Sequence, residues 1–155
     1  MDKLTVSGEA FAPVLEDILS AGGTASILVS GSSMYPFLKH GRDTVFLRAH
    51  KDEDLKRGQI LLFQRPDQSL VLHRIRKVLP DGHLVMNGDA QTWCETISTH
   101  QVLAVVTSVE RNGRKLSCDK ALFRLWNFLW YPTRPIRTVL FQIGRLLLKR
   151  GKRHE

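Results

Sequence analysis

The chain has 155 residues, of which 43% are hydrophobic and 25% are charged, and its formal net charge is +8. This length suits one domain with appendages, and the hydrophobic fraction can build a core, which excludes an intrinsically disordered protein. Cys94 and Cys118 form no Cys-x-x-Cys pair and are too few for a disulfide framework, so both are predicted to be free thiols. The histidines are scattered without metal-ligand spacing, and no metal site is predicted.

The charge is divided unevenly along the chain. Residues 1–110 hold 11 Lys and Arg against 13 Asp and Glu, a net charge of −2, whereas residues 111–155 hold 12 against 2, a net charge of +10. The basic character of the protein therefore lies in its C-terminal part.

Residues 1–23 are predicted to contain an amphipathic helix, because apolar residues recur there at helical spacing and Gly22-Gly23 would end it. The acidic residues of this segment exclude a secretory signal peptide, and its apolar stretch falls short of the roughly 20 residues needed to span a bilayer. We therefore expect the protein to stay where it is made, in a bacterial-type cytoplasm. The apolar positions are Phe11, Val14, Leu15, Ile18 and Leu19.

A mainly β domain is predicted over residues 24–116, where short runs of β-branched and aliphatic residues alternate with Gly, Asp, Pro and charged clusters. Pro80-Asp81-Gly82 is a strong turn between two of these runs. Several short strands with such punctuation favour a barrel-like or coiled sheet. The predicted strands are residues 25–30, 44–48, 59–64, 70–78, 83–87 and 101–110.

The tail of residues 117–155 is predicted to be helical, basic and rich in aromatic residues, with a break at Pro132 and Pro135. An amphipathic helix with Trp and Arg can lie on an anionic membrane, each charge adding about 1 kcal/mol. Its prolines and arginines exclude a spanning helix. Packing against the protein's own β domain, or binding a protein partner through residues 119–153, is equally compatible. Nucleic acid is the least favoured partner, because no DNA- or RNA-binding module accompanies the charge.

Three short segments carry the residues of a hydrolytic site. The first is Gly31-Ser32-Ser33-Met34-Tyr35-Pro36, the second is Leu72-His73-Arg74, and the third is Gly88-Asp89. Serine attacks a carbonyl at neutral pH only when a neighbouring base takes its proton. An unperturbed histidine, with a pKa near ~6.5, suits that task.

These segments, in this order, resemble the signal peptidase and LexA-type serine peptidases. The nucleophile of that superfamily lies in a Gly-x-Ser-Met-x-Pro box, and the resemblance covers about residues 24–110. Bacterial signal peptidases and LexA-like proteins use lysine as the base, whereas the endoplasmic-reticulum and archaeal type uses histidine. His73 therefore makes the chain similar to the histidine type, and the resemblance implies a coiled β-barrel fold.

The resemblance implies that Ser33 is the nucleophile and His73 the general base, with Asp89 orienting or charge-balancing the base. Glu95 is a candidate accessory acid. The backbone N–H of Ser33 would meet the oxyanion, and Gly31, Met34 and Pro36 would complete the oxyanion and substrate pocket. Two positions depart from the family. Gly31 stands where some members place a hydroxyl, and Gln59 stands where Asp is common.

Each segment also has a plain structural reading. Gly-Ser-Ser is an ordinary turn composition, a histidine in an alternating strand usually packs on a sheet face, and Gly-Asp is frequent in hairpin turns. Their joint occurrence in the family order favours the peptidase site.

The sequence thus predicts a serine endopeptidase with a Ser33/His73 dyad and no cofactor. Its substrate would be a leader-type peptide or protein precursor, processed in the cytoplasm or at the inner face of the membrane. Two alternatives remain. One is a non-catalytic peptide- or membrane-binding module that retains the fold, and the other is a LexA-like autoproteolytic regulator.

Overall fold

The computed structural model describes residues 8–118 together with Phe123, Leu125 and Leu129. The chain divides into two units, residues 1–120 and residues 121–155. In the described part of the first unit, one α-helix accompanies an open sheet of eight antiparallel strands, so the predicted mainly β class is confirmed. The helix is α1 (Gly8–Ser20), and the strands are β1 (Ala25–Leu28), β2 (Asp43–Arg48), β3 (Ile60–Gln64), β4 (Leu70–Val78), β5 (Leu84–Asn87), β6 (Glu95–Ile97), β7 (Val102–Arg111) and β8 (Arg114–Ser117).

Helix α1 is amphipathic, although two of the apolar residues that predict it, Val14 and Ile18, are exposed. Ala12, Leu15 and Leu19 are buried, at the spacing of three and four residues that keeps side chains on one helix face, and α1 packs against β1 and β7. The helix ends where predicted. Gly22 adopts a φ of +79°, which glycine takes without strain, and its N–H donates to the Leu19 carbonyl at 3.0 Å.

The sheet is organised around β7. Strand β2 pairs with one edge of β7, while β3 pairs with the first half of the other edge and β8 with the second half. The main path runs β1-β2-β7-β3-β4-β5-β6, so β1 and β6 are its ends. Four successive residues of β3 are buried, which explains why this strand reads as an unbroken apolar run. The principal core cluster consists of Leu61, Phe63, Ile75, Leu84, Met86, Ile97, Val102 and Val105.

Two strands, β6 and β8, were not predicted from the sequence. Strand β6 has three residues and begins with a glutamate, so it carries no apolar run. Strand β8 is short, basic and largely exposed. Its hairpin with β7 turns at Asn112-Gly113, where both residues have positive φ, and Asn-Gly is the strongest short-range hairpin signal. Three of the basic residues assigned to the C-terminal excess, Arg111, Arg114 and Lys115, therefore lie in the sheet.

Most of the predicted helical tail lies outside the described residues. The described positions of the second unit, Phe123, Leu125 and Leu129, are helical. Among the described residues, no helix has the length and hydropathy needed to cross a membrane.

A buried carboxylate at the start of β2 fixes the segment that precedes it. Asp43 is fully buried and accepts hydrogen bonds from both Arg42 and Arg111, at 2.7–3.0 Å, and from the backbone N–H of Lys39 at 2.9 Å. Burial alone would raise the pKa of Asp43, but the bonds from the two guanidinium groups outweigh burial and hold the pKa far below its usual range. Arg111 also donates to the Phe37 carbonyl, which joins this segment to β7.

Replacing Asp43 with Asn should destabilise the protein by about 1.5–3 kcal/mol at neutral pH, because the buried amide carries no charge and loses the charged hydrogen bonds from the partly exposed Arg42 and Arg111. The stabilisation by Asp43 exists above its unfolded pKa of ~3.9 and is lost as the pH falls towards the lower folded pKa. Urea unfolding between pH 3 and 7 should therefore show the two proteins converging in acid. A constant difference across this range would contradict the assignment.

Candidate active site

Ser33 lies in the connection between β1 and β2, which we call the Ser33 loop (residues 29–42). Two neighbours anchor it, since Met34 and Leu38 are buried and the Leu38 N–H donates to the Met34 carbonyl at 2.8 Å. Ser33 itself is partly exposed. Met34 therefore acts as an anchor in the core, while the partly exposed Pro36, which follows a cis peptide bond, is the pocket candidate nearer the surface.

The first turn of the Ser33 loop depends on Gly31. This residue has a φ of +80°, a conformation that favours glycine. Its N–H donates to Nδ1 of His40 at 3.1 Å, so this amide is engaged within the loop. In contrast, the N–H of Ser33 donates to no acceptor among the described residues, which leaves it available as an oxyanion donor.

The turn that follows β5 holds the Ser33 backbone. We call residues 88–91 the Gly88 turn. The Ala90 N–H donates to the Ser33 carbonyl at 2.8 Å, and the Gln91 N–H closes the turn on the Gly88 carbonyl at 2.9 Å. A Cβ atom on Gly88 would lie 2.6 Å from the Ser33 carbonyl oxygen. Glycine is needed here because the two backbones approach so closely.

Asp89, in the same turn, is paired with the residue that follows the predicted base. Its carboxylate accepts hydrogen bonds from Nε and Nη2 of Arg74 at 2.9 and 2.8 Å, and both residues are buried. Nη1 of Arg74 also donates to the Gly58 carbonyl at 3.0 Å. The Gly88 turn is thereby attached to β4, the strand that carries His73.

His73 is buried to 1% exposure on β4, opposite Leu61 of β3. Its ring packs against Phe63, with centroids 5.9 Å apart, and edge-on against Trp93, with centroids 6.2 Å apart. Burial lowers the pKa of His73 below its usual value of 6.5, against the opposing influence of the Glu95 carboxylate. The imidazole is therefore neutral at pH 7, the form that a general base requires.

Glu95 is the acid that faces the imidazole. Oε1 of Glu95 lies 2.9 Å from Nδ1 of His73, although it is out of line with the ring N–H, so this buried nitrogen lacks a well-aligned hydrogen bond. Burial alone would raise the pKa of Glu95, but two hydrogen bonds from Arg65 outweigh it and lower the pKa below its usual value. Glu95 is thus ionised beside the base.

The two acids make different contacts. Asp89, which the resemblance implies orients or charge-balances His73, accepts bonds from Arg74 on both of its oxygens. Glu95, expected only as an accessory acid, contacts the ring. The physical reason is that Arg74 and His73 are consecutive in a strand, so their side chains point to opposite faces and meet different carboxylates.

The Ser33 loop is attached to β4, the strand that carries His73. The Gly88 turn is hydrogen-bonded to Ser33 on one side and ion-paired to Arg74 of β4 on the other. Among the described residues, no hydrogen bond joins the Ser33 hydroxyl to the His73 ring.

Two residues of this site escaped the sequence reading. Arg65 immediately follows β3 and reaches Glu95, thirty positions away, and Trp93 stands beside the His73 ring. Trp93 is 48% exposed, and the Arg65 guanidinium lies 5.7 Å from its ring centroid. The Asn87 side chain donates to the Trp93 carbonyl, which fixes the backbone here. In the sequence, the tryptophan four residues after Gly88-Asp89 was the signal that could have identified this position.

Among the described residues, no group of three or more His, Cys, Asp and Glu side chains could hold a metal ion. Cys94 is exposed and Cys118 is buried, and both are free thiols, as predicted. In comparisons with known proteins, no family model, no curated protein and no solved structure matches the chain.

Replacing Gly88 with Ala should separate the Gly88 turn from Ser33, because a methyl group at 2.6 Å from a backbone oxygen cannot be accommodated. Overpacking of this kind costs about 1–3 kcal/mol. Amide hydrogen exchange at Ala90 should therefore accelerate at least about tenfold. The control is Gly82→Ala. Its methyl group would meet backbone strain at a φ of +85° but no neighbouring atom within 4 Å, so the exchange rate of the Ala90 amide should be unchanged. Unaltered exchange in Gly88→Ala would contradict the contact.

The buried His73 should make folding stability fall in mild acid. Because its folded pKa lies below the unfolded value of ~6.5, the unfolded chain binds this proton more readily, and the free energy of unfolding decreases as the pH falls below that value. Urea unfolding at pH 5 and 7.5 should show a smaller loss for His73→Gln than for the wild-type protein. Equal losses would indicate that burial does not suppress protonation of His73.

Proposed function

We propose that this protein is a serine endopeptidase of the signal peptidase-like class, in which Ser33 is the nucleophile and His73 the general base. One observation carries the proposal. The Gly88 turn binds the Ser33 backbone through Ala90 and is ion-paired through Asp89 to Arg74, the neighbour of His73. The Ser33 loop, the Gly88 turn and β4 are far apart in the sequence, each carries a residue type that acyl transfer needs, and these contacts join them to one another.

The reaction follows from the groups present. The Ser33 oxygen attacks the substrate carbonyl carbon while its proton passes to Nε2 of His73, and the N–H of Ser33 stabilises the negative oxygen of the tetrahedral intermediate. The intermediate collapses when His73 gives this proton to the leaving amine, which departs and leaves an acyl-serine. His73 then takes a proton from water as it attacks, and returns that proton to Ser33 as the acid product forms.

Glu95 fits the role of the third group. An imidazole that takes a proton becomes positively charged, and in a buried position this charge needs a carboxylate nearby. Oε1 of Glu95 is 2.9 Å from Nδ1, so its negative charge lies beside the ring that becomes protonated. In this proposal Asp89 acts indirectly, by holding the Gly88 turn against β4 through Arg74.

The fold of residues 24–116 is proposed to be the coiled β domain of the signal peptidase class. The antiparallel sheet and the position of the Ser33 loop between β1 and β2 support this proposal. The departure at Gln59 is compatible with it, because its side chain donates to the Val106 carbonyl at 3.1 Å and joins β3 to β7. At Gly31 no side chain is present, so the Ser33 N–H is the oxyanion donor that we assign.

The proposed substrate is a leader-bearing peptide or protein precursor that binds in an extended conformation. The half-exposed side chains of Tyr35 and Trp93, next to Ser33 in sequence and to His73 in space, offer apolar surface for it. We further propose that processing takes place in the cytoplasm or at the inner face of the membrane, with residues 119–153 as the contact to an anionic surface or a protein partner. No cofactor is required.

One observation favours a second function, a non-catalytic binding module. Ser33 and His73 are not hydrogen-bonded to each other among the described contacts, and a module that only holds peptides needs no such bond. Catalytic hydrogen bonds are often long or poorly aligned before substrate binds, so we rank the peptidase first.

Cleavage of a diverse peptide library, mapped by mass spectrometry, tests the proposal. Ser33→Ala and His73→Ala should each lower the rate at least about a thousandfold, since removing either member of such a pair removes most of the chemistry. Ser32→Ala is the matched control, because it deletes the adjacent hydroxyl and should retain activity. The assay is run with and without anionic vesicles to test the tail.

Three results would contradict the peptidase. Cleavage that survives in Ser33→Ala excludes this nucleophile, and equal loss in Ser32→Ala points to damage of the loop. Peptides that bind without being cut support the binding module. The intact mass of the protein after incubation shows whether it cuts itself, as a LexA-like regulator would.

A further inference from the structure

Arg65 stands at the start of the hairpin that joins β3 to β4, and its backbone is fixed. Its N–H donates to the Ser69 carbonyl and its carbonyl accepts from the Gln68 N–H, both at 2.9 Å. Gln68 has a φ of +67°, and Asp67 accepts bonds from the N–H and hydroxyl of Ser69. This hydrogen-bonded turn fixes the backbone position from which the Arg65 side chain extends.

The Arg65 guanidinium donates two hydrogen bonds to the Glu95 carboxylate, which makes the pair bidentate. Nε donates to Oε2 at 2.8 Å and Nη2 to Oε1 at 2.7 Å. Both side chains are mostly buried, with 29% and 18% exposure, and the guanidinium also lies beside the ring of Trp93. A two-pronged pair fixes the plane of the carboxylate as well as its position.

The geometry gives this pair a consequence for His73. Oε1 of Glu95, which accepts from Nη2 of Arg65, is the same oxygen that lies 2.9 Å from Nδ1 of His73. Glu95 belongs to β6, a three-residue strand at the end of the sheet's main path, so its own backbone provides few restraints. Without Arg65 the carboxylate could turn away from the ring.

We propose that Arg65 is a positioning residue that holds the Glu95 carboxylate against His73 and so orients the general base for acyl transfer. The catalytic part of this inference rests on the proposed function, because it assumes that His73 takes the serine proton. Arg65 itself touches neither Ser33 nor His73 among the described contacts; it acts through Glu95.

Three charged groups face His73, and their signs predict the effect of removing Arg65. The negative carboxylates of Glu95 and Asp89 favour the protonated ring, whereas the positive Arg65 opposes it. Asp89 is already paired with Arg74. Replacing Arg65 with Met removes the opposing charge but also releases Glu95, whose influence on the pKa of His73 is the larger of the two, so the pKa of His73 should fall. Lysine would keep the charge but could not form the two-pronged bond.

The experiment compares the wild-type protein with Arg65→Met and Arg65→Lys in two measurements. The first follows the His73 ring signals by NMR as the pH changes, and it needs no catalysis. The second is the pH profile of kcat and KM on a peptide identified in the cleavage screen. Arg48→Met is the matched control, since Arg48 forms an equivalent two-pronged pair with Asp54 at 2.7 Å, on a strand separated from β4 by β7 and β3.

In Arg65→Met we expect the His73 titration midpoint to move to lower pH, and kcat at pH 7 to fall about tenfold, as when the outer partners that orient a metal-bound histidine are lost, with KM little changed. Arg65→Lys, which keeps the opposing charge and also releases Glu95, should lower the midpoint further and show the same lower kcat. Because Arg65 acts through Glu95, Arg65→Met should cause little further loss of kcat in a Glu95→Gln background.

The outcomes separate this inference from the proposed function. An unmoved His73 midpoint in Arg65→Met, or an equal effect of Arg48→Met, overturns the role of Arg65 whether or not the protein cleaves peptides. An additive loss of kcat in the double variant also overturns it, since Arg65 would then act independently of Glu95. If the wild-type protein cuts no peptide, the proposed function fails, while the titration still decides whether Arg65 acts on His73.

Discussion

The buried ion pair between Arg74 and Asp89 is the constraint on which the arrangement of the candidate site depends. A charge removed from water is costly unless a partner of opposite sign accompanies it. Both side chains are buried. If the Gly88 turn moved away from β4, one of the two charges would therefore be exposed to water or remain buried without its partner. That turn in turn holds the Ser33 carbonyl through Ala90. The relative placement of the Ser33 loop and β4 is thus set by electrostatics in the interior.

The two carboxylates near His73 each have an arginine, but the pairs serve different purposes. Asp89 accepts a hydrogen bond from a guanidinium nitrogen of Arg74 on each of its oxygens, so it attaches the Gly88 turn to β4. Glu95 is bound by Arg65 and still presents one oxygen to the imidazole. An arginine thereby holds each acid in place, and Glu95 is the acid that contacts the imidazole.

Much of the fold could be predicted from the sequence, but the assignment of the acids could not. Helix α1 and six strands follow from apolar periodicity, whereas β6 and β8 are too short or too polar to show it. The turn residues Asn112-Gly113 nevertheless indicate the hairpin between β7 and β8. Ser33 and His73 are recognisable by local context. Nothing local indicates that Glu95 rather than Asp89 faces the ring, because that depends on strand register and on Arg65, thirty residues away.

The burial of two consecutive polar residues, His73 and Arg74, explains why this part of the sheet must collect acids on both faces. In a strand covered on one side only, one of them would reach water. Here both are buried, so each face must supply a carboxylate. Arg74 donates hydrogen bonds to both oxygens of Asp89. The histidine has two nitrogens, and Glu95 lies against Nδ1. The compensation of charge in the core therefore engages Nδ1 of His73 and does not require Nε2.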